Sequence, residues 1–287
     1  MRDYEAKAIR NVAVVGHGAS GKTTLVDSLA FVSGSSRRRG SVKEGTALTD
    51  TAPEEIERGY SINLGCAVAE WMDTKINLLD TPGYADFIGD AIAGLAAADG
   101  ALVAISSTGG VEVGTERMFR EAVERRDPVL FVVTMMDKEH ASFDKAYASI
   151  RDTLTPGVIP VEIPMGEGAA FRGVLNLFTR KAHIYSADVR ANNQEEADIP
   201  WAEQERFDRW HRELLETIAS TDDTLLERYL NGEEISREEE IAAMKEGMKR
   251  GQLFPLFCCA STDTSSPFLV EPMPSRAALT RVSAATA

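Results

Sequence analysis

The 287-residue chain is short of cysteine and of positive charge, and each shortage removes a class of protein. Its three cysteines, Cys66 and the adjacent Cys258 and Cys259, make neither a disulfide framework nor a metal-ligand spacing, which excludes a cystine-stapled scaffold and suits a reducing compartment. Lys and Arg number 31 against 45 Asp and Glu, a formal charge of −14. Non-specific attraction to DNA or to an anionic membrane is therefore not expected, and any contact with RNA must be local. The opening MRDYEAKAIRN has no apolar signal core, and the longest weakly polar stretch, 88–106, is interrupted by Asp90 and Asp99. A soluble, cytoplasmic protein is expected. Hydrophobic residues make up 44% and charged residues 26%, so the bulk of the chain should fold, as one large domain or two modest ones at roughly 150 residues each.

The order of elements is readable from periodicity. The run NVAVVG (11–16) ends at a glycine and leads through a loop into a helical pattern over 22–31, the signature of strand, turn and helix. A polar stretch fills 33–59. Two β-like runs, 62–71 and 75–79, then flank Met72, Asp73 and Thr74 and predict a hairpin whose second strand ends at Asp80. Helix and strand alternate from there: helix 86–97, strand 101–106, helix 115–126, strand 129–134, helix 141–154. This spacing predicts an α/β fold, a doubly wound and mostly parallel sheet over residues 9–156.

An inserted α+β subdomain is expected over 157–251. In it Phe207, Trp210, His211, Leu214, Leu215 and Ile218 share one helix face, with His211 read as a packing residue. Ser236 and Glu239 make a capping-box pattern, and Gly251 is a helix stop. The final strand of the main sheet is placed in 252–262. The Ser-, Thr-, Ala- and Pro-rich segment 263–287 is expected to be a disordered tail.

Four segments carry chemistry. Gly16-His17-Gly18-Ala19-Ser20-Gly21-Lys22-Thr23 fits G-x-x-x-x-G-K-T between a strand and a helix, so this is a P-loop NTPase pattern. Backbone N–H groups there converge on an anion, Lys22 reaches the β and γ phosphates, and Thr23 offers a hydroxyl to Mg²⁺. Asp80-Thr81-Pro82-Gly83 places a carboxylate near Mg²⁺ and the Gly83 N–H where a γ-phosphate would sit. Ser61, in Glu57-Arg58-Gly59-Tyr60-Ser61-Ile62, offers a second hydroxyl to the metal. Asp137, just past VLFVVT, suits a base edge with N–H and NH₂ donors, which guanine has and adenine lacks. The switch-like segments argue against a P-loop kinase or ATPase.

In this order GHGASGKT, ERGYSI, DTPGYADF and TMMD resemble the leading motifs of a translational GTPase, specifically elongation factor G, over about residues 10–261. The loop GSVKEGTALTD, the strand pair AEWMDTKINLLD and an insertion with GVLNL and ERYLNGEEISREE extend the resemblance. It implies GTP/GDP and Mg²⁺ as ligands, switch loops ordered by the γ-phosphate, and docking on the large ribosomal subunit. It also implies a barrel and later domains beyond Ser261, so the chain is expected to be a shortened form. The candidate nucleotide-binding residues are Gly16, His17, Gly18, Ala19, Ser20, Gly21, Lys22, Thr23, Thr24, Thr134, Asp137 and Ala260. Thr23, Ser61 and Asp80 are the candidate metal ligands, and Lys22, Gly83 and Tyr84 the candidate catalytic groups.

Several positions depart from the family pattern. Tyr84 stands where DTPGH has a histidine, and a phenol is a poorer proton partner near neutral pH, so slow hydrolysis is expected. Its limit is a ribosome-binding module with negligible turnover. Thr134-Met135-Met136-Asp137 replaces NKxD, which costs base hydrogen bonds on the order of 1 kcal/mol each, with Met135 left to cover a base face. Ala19 replaces a frequent Asp, and Cys259-Ala260-Ser261 aligns with the last guanine-contacting segment. Arg37, Arg38 and Arg39 read as a solvated loop or a local contact to RNA phosphate.

Overall fold

A computed structural model describes residues 3–71, 73–185 and 194–260. Ser261, Met72 and the expected tail 263–287 lie outside them.

The apolar run near the N-terminus forms β1 (Ile9–Val15), and the phosphate-loop sequence leads into α1 (Lys22–Val32). The predicted hairpin is β2 (Gly65–Trp71) and β3 (Thr74–Asp80), paired antiparallel with Gly65 opposite Asp80. Next come α3 (Ile88–Ala97), β4 (Gly100–Ser106), α4 (Val113–Glu124), β5 (Val129–Thr134) and α5 (Phe143–Thr153), in the predicted alternation. One helix was not anticipated, α2 (Pro53–Arg58), inside the polar stretch read as loop. It begins on Pro53, whose fixed φ suits a first helical turn, and ends on Gly59 at φ +70°.

The main sheet has seven strands in the order β2-β3-β1-β4-β5-β11-β6, where β6 is Val158–Pro160 and β11 is Phe254–Cys258. All neighbours except β2 and β3 are parallel. Every residue of β4 and β5 is buried, as a central parallel strand covered by helices on both faces requires. β6 corrects the expected boundary. Residues 158–160, placed in the insertion from the sequence, pair with β11 and extend the main sheet by one edge strand. Three residues are too few to show a strand period, and Pro160 is tolerated because its strand is at an edge.

The insertion carries a four-stranded antiparallel sheet, β10-β9-β8-β7, from β7 (Glu162–Met165), β8 (Gly173–Asn176), β9 (Lys181–Tyr185) and β10 (Gln194–Ala197). Three helices follow: α6 (Gln204–Ala219), α7 (Asp223–Leu230) and α8 (Arg237–Lys249). On α6 Phe207, Trp210, Leu214 and Ile218 are buried on one face, as their spacing predicts. Trp210 packs edge-on against Phe143 and Tyr147 of α5, with ring centroids 5.6 and 4.8 Å away, and this joins the insertion to the main sheet. Ser236 accepts from Glu239 N while Glu239 Oε2 accepts from Ser236 N, so the capping box closes on both sides.

Candidate functional site

β1, β3, β4, β5 and β11 run parallel, so their carboxyl ends open along one edge of the sheet. The chemistry-bearing segments leave from those ends: the phosphate loop after β1, Asp80 at the end of β3, Thr134 to Asp137 after β5, and Cys259 and Ala260 after β11.

The phosphate loop owes its shape to two glycines in left-handed conformations, Gly16 at φ +144° and Gly21 at +82°, the latter capping α1. A side chain at Gly16 would collide with the Ala104 carbonyl. Ala19 also lies at φ +60°, unusual for a residue with a Cβ. Lys22 is buried and donates from Nζ to the His17 carbonyl at 2.7 Å, which ties the ammonium across the loop. Burial pulls its pKa down to about 8, against the attraction of Asp80 and Asp50. Gly83 lies directly against this lysine and against the Gly18 nitrogen.

Thr23 and Ser61, from two segments 38 residues apart, bring their hydroxyls to 3.0 Å. Beside them Asp80 Oδ2 accepts from Thr49 Oγ1 at 2.6 Å, while Oδ1 is buried without a hydrogen bond of good geometry. Burial pushes the Asp80 pKa up to about 6, against Thr49, Lys22 and Thr23, and with Asp50 adding to the rise. Two buried carboxylates therefore face one buried ammonium, leaving negative charge next to two hydroxyls. That donor set fits a hard, oxygen-seeking cation such as Mg²⁺, and phosphate oxygens would complete its shell. Among the described residues no cluster of three or more His, Cys, Asp and Glu could hold a metal alone.

At the end of β5, Thr134 is fully buried and its hydroxyl donates to the Ser20 carbonyl at 2.7 Å. It thus braces the phosphate loop. Met135 has φ +61°, and its side chain lies against Gly21, with Ser106 Oγ 3.9 Å from its sulfur. Ser107 Oγ holds the Met135 carbonyl at 2.8 Å. Asp137 sits half-buried, 3.3 Å from Lys138 Nζ. Ala260 is buried, and Cys259 N donates to the Val133 carbonyl. The second residue of the phosphate loop, His17, accepts from Gly114 N at 3.3 Å through Nδ1 and lies 3.5 Å from Glu112 through Nε2, a link to the start of α4.

Four residues of the site were not singled out in the sequence. Thr49 and Asp50 come from the polar stretch 33–59. Both oxygens of Asp50 are buried without a hydrogen bond of good geometry, and burial raises its pKa against Ser61. Glu55 pins the same segment: it accepts from Ile62 N, Asn63 N and Asn63 Nδ2 through Oε1 and from Ala52 N through Oε2. Although burial opposes ionisation, those N–H donors leave its pKa below the ordinary value. Asp27, on α1, accepts from Leu48 N at 3.0 Å and has Arg39 nearby. The three arginines are therefore not equivalent: Arg37 and Arg38 are exposed, whereas Arg39 turns toward Asp27.

Asp27 gives a pH prediction. Burial raises its pKa from 3.8 to about 6, against the Leu48 N–H and Arg39 and with Asp50 adding to the rise. The folded state thus favours the neutral form, and the contribution present below 3.8 is lost as pH rises through about 6. Melting curves of the nucleotide-free chain from acid to neutral pH should show wild type losing roughly 2–4 °C more than Asp27→Asn, the equivalent of about 1 kcal/mol. Parallel pH profiles would contradict this.

A profile for the elongation factor Tu GTP binding domain matches residues 7–268. The crystal structure of a protein from Thermus thermophilus superposes with a TM-score of 0.85 at 37% identity over 95% of this chain. This chain spans 40% of that protein's length.

Proposed function

The chain belongs to the elongation factor Tu GTP-binding-domain family, and from that membership we propose that it binds GTP and GDP with Mg²⁺ and hydrolyses GTP slowly, as the G domain of an elongation factor G-like translation factor. The observation that carries this reading is the meeting of Thr23 and Ser61 at 3.0 Å beside buried Asp80, with Lys22 and Gly83 in contact on the other side. A phosphate chain placed there meets an ammonium, two hydroxyls, a carboxylate and the loop N–H groups together. Thr23, Ser61 and Asp80 would hold Mg²⁺, which neutralises phosphate charge when bound.

The protein's own groups divide the remaining tasks. Lys22, released from the His17 carbonyl, would pair with β and γ oxygens. The Gly83 N–H and the switch segment held by Glu55 would read the γ-phosphate. Asp137 would accept from the guanine N–H and NH₂ donors and be left poorly paired by adenine, which supports base selectivity. Thr134, with its hydroxyl on Ser20, supports the loop rather than the base, and this favours weaker binding than NKxD would allow. Docking on the large ribosomal subunit in the cytoplasm belongs to the same proposal. In an acidic chain, exposed Arg37 and Arg38 offer the local positive charge for such a contact.

Titration of labelled GTP, GDP and ATP with and without Mg²⁺ tests the reading, with guanine-selective, Mg²⁺-assisted binding expected. No binding by the folded chain, or a preference for ATP, would overturn it. Tyr84 supports slow turnover, because a phenol is a weak proton partner for the attacking water. Tyr84→His should therefore raise single-turnover hydrolysis by about tenfold or more, and an unchanged rate would remove Tyr84 as the cause. Nucleotide-dependent ribosome docking without phosphate release would instead favour the binding-module reading.

A further inference from the structure

The turn 134–137, between β5 and α5, is held from several sides. The Thr134 hydroxyl is spent on the Ser20 carbonyl, while Ser107 donates from N to the Thr134 carbonyl and from Oγ to the Met135 carbonyl. Met136 is fully buried, and its N–H donates to the Cys259 carbonyl at 3.2 Å. A further hold comes from the insertion, where Gly168 N donates to the Met136 carbonyl at 2.8 Å. That carbonyl belongs to the peptide plane that leads into Asp137, so the bond fixes the backbone from which the Asp137 side chain departs.

Gly168 reaches the turn through its own conformation and through its neighbour. It lies at φ +61°, and a Cβ on it would come within 3.3 Å of the Lys138 carbonyl oxygen. Glu167, just before it, accepts from Phe143 N at 2.8 Å through Oε1 and so satisfies one of the open N–H groups in the first turn of α5. Two adjacent residues of the insertion thus grip both ends of the segment 136–143 at once. Between those ends Ala141 N donates to the Lys138 carbonyl and Ser142 N to the Ser107 carbonyl. The partners of the grip, Met136 and Phe143, belong to the connection between β5 and α5 and not to the insertion's own sheet.

We infer that Glu167 and Gly168 are positioning residues for Asp137, through which the insertion sets how sharply guanine is told from a base with one donor fewer. The inference rests on the guanine-binding reading for its consequence, whereas the grip itself stands on the contacts above. Thr134 has committed its hydroxyl to Ser20, and Met135 and Met136 carry apolar side chains, so Asp137 is the one carboxylate this turn offers to a base edge. A carboxylate that accepts from an N–H and an NH₂ together must keep both oxygens in line with the base, and a tilt of the peptide before it breaks that alignment. A single hydrogen bond tolerates the same tilt better. Loss of the grip therefore falls on base selectivity, while Lys22, Thr23 and Asp80 keep their hold on phosphate and metal.

Affinities of the full chain for GDP, GTP and inosine diphosphate, whose base keeps the ring N–H but lacks the NH₂ group, test this in wild type, Glu167→Ala and Glu167→Gln. In Glu167→Ala the preference for GDP over inosine diphosphate should shrink by about 3- to 10-fold, the scale of one weakened hydrogen bond to a charged group. The ratio of GTP to GDP affinity should stay as in wild type, because the phosphate side is untouched. Glu167→Gln keeps an oxygen to accept from Phe143 N and should restore the wild-type preference. An unchanged preference in Glu167→Ala, or an equal loss for both bases, would overturn the inference. A second measurement needs no nucleotide: amide hydrogen exchange of the segment 134–143 should speed up by about threefold or more in Glu167→Ala, with the segment 12–32 unchanged. If exchange does not change, the grip is absent. If it speeds up while wild type binds no guanine nucleotide, the grip stands, but its proposed role in base selectivity falls together with the functional reading.

Discussion

Lys22→Met is expected to weaken GTP and GDP binding by about 100-fold or more while leaving a folded protein. Lys22 lies buried between the phosphate loop, Gly83 and the carboxylates of Asp80 and Asp50. Methionine replaces its length and apolar stem but has no charge to offer phosphate. Hydrogen bonds to charged groups contribute about 1.5–3 kcal/mol each, so losing two reaches or exceeds the stated factor. Thermal protection gives a direct readout. Wild type at a ligand concentration of about 100 times Kd gains about 2.7 kcal/mol, roughly 5–10 °C, whereas a variant binding 100-fold more weakly gains only about 0.4 kcal/mol. The melting point without nucleotide separates lost binding from lost fold. Equal protection of variant and wild type would exclude Lys22 from the phosphate site.

Gly83→Ala should be as damaging, by a different route. A Cβ at this position would run into Lys22 Nζ and lie 2.7 Å from both the Gly18 nitrogen and the His17 carbonyl carbon. Two of those three atoms are backbone of the phosphate loop and cannot rotate away, so the turn after Asp80 must lift off the loop. The N–H that would read the γ-phosphate moves with it, as does the base of the Tyr84 ring. Single-turnover hydrolysis is expected to fall by about 100-fold, the scale for removal of one well-placed backbone or side-chain donor. GTP should lose its advantage over GDP, because in the proposed reading only a γ-phosphate would contact this turn. Retained GDP binding with lost GTP preference is the diagnostic pattern. A variant with normal hydrolysis would mean that the turn does not report on the γ-phosphate.

Much of the site could be read from the chain because its parts are local. The glycines and lysine of GHGASGKT act over eight consecutive residues, and the strand before them and the helix after them follow from hydrophobic period alone. Asp80 ends one apolar strand and Asp137 closely follows another, and parallel strands bring such ends to one edge of the sheet. The helical faces of the insertion were equally visible, since Phe207, Trp210, Leu214 and Ile218 repeat at three- and four-residue steps.

What escaped the sequence shares one property, dependence on partners far along the chain. Thr49 and Asp50 lie in a polar stretch with no period, and only the fold places them beside Asp80, 31 residues from Thr49. Glu55 looks like one more acid in an acidic helix until its four N–H donors are seen. The hydroxyl of Thr134 finds the carbonyl of Ser20 across 114 residues. Nor does spacing reveal that a three-residue edge strand at 158–160 belongs to the main sheet.

The sequence by itself determined the family and the alternation of strands and helices, because these rest on short-range patterns and on residue chemistry. The tertiary structure alone decided how those groups share charge and space. Burial, which no local pattern reports, sets the pKa of Lys22 and Asp80, and the packing of three distant segments sets Tyr84 on Gly18 beneath Tyr60.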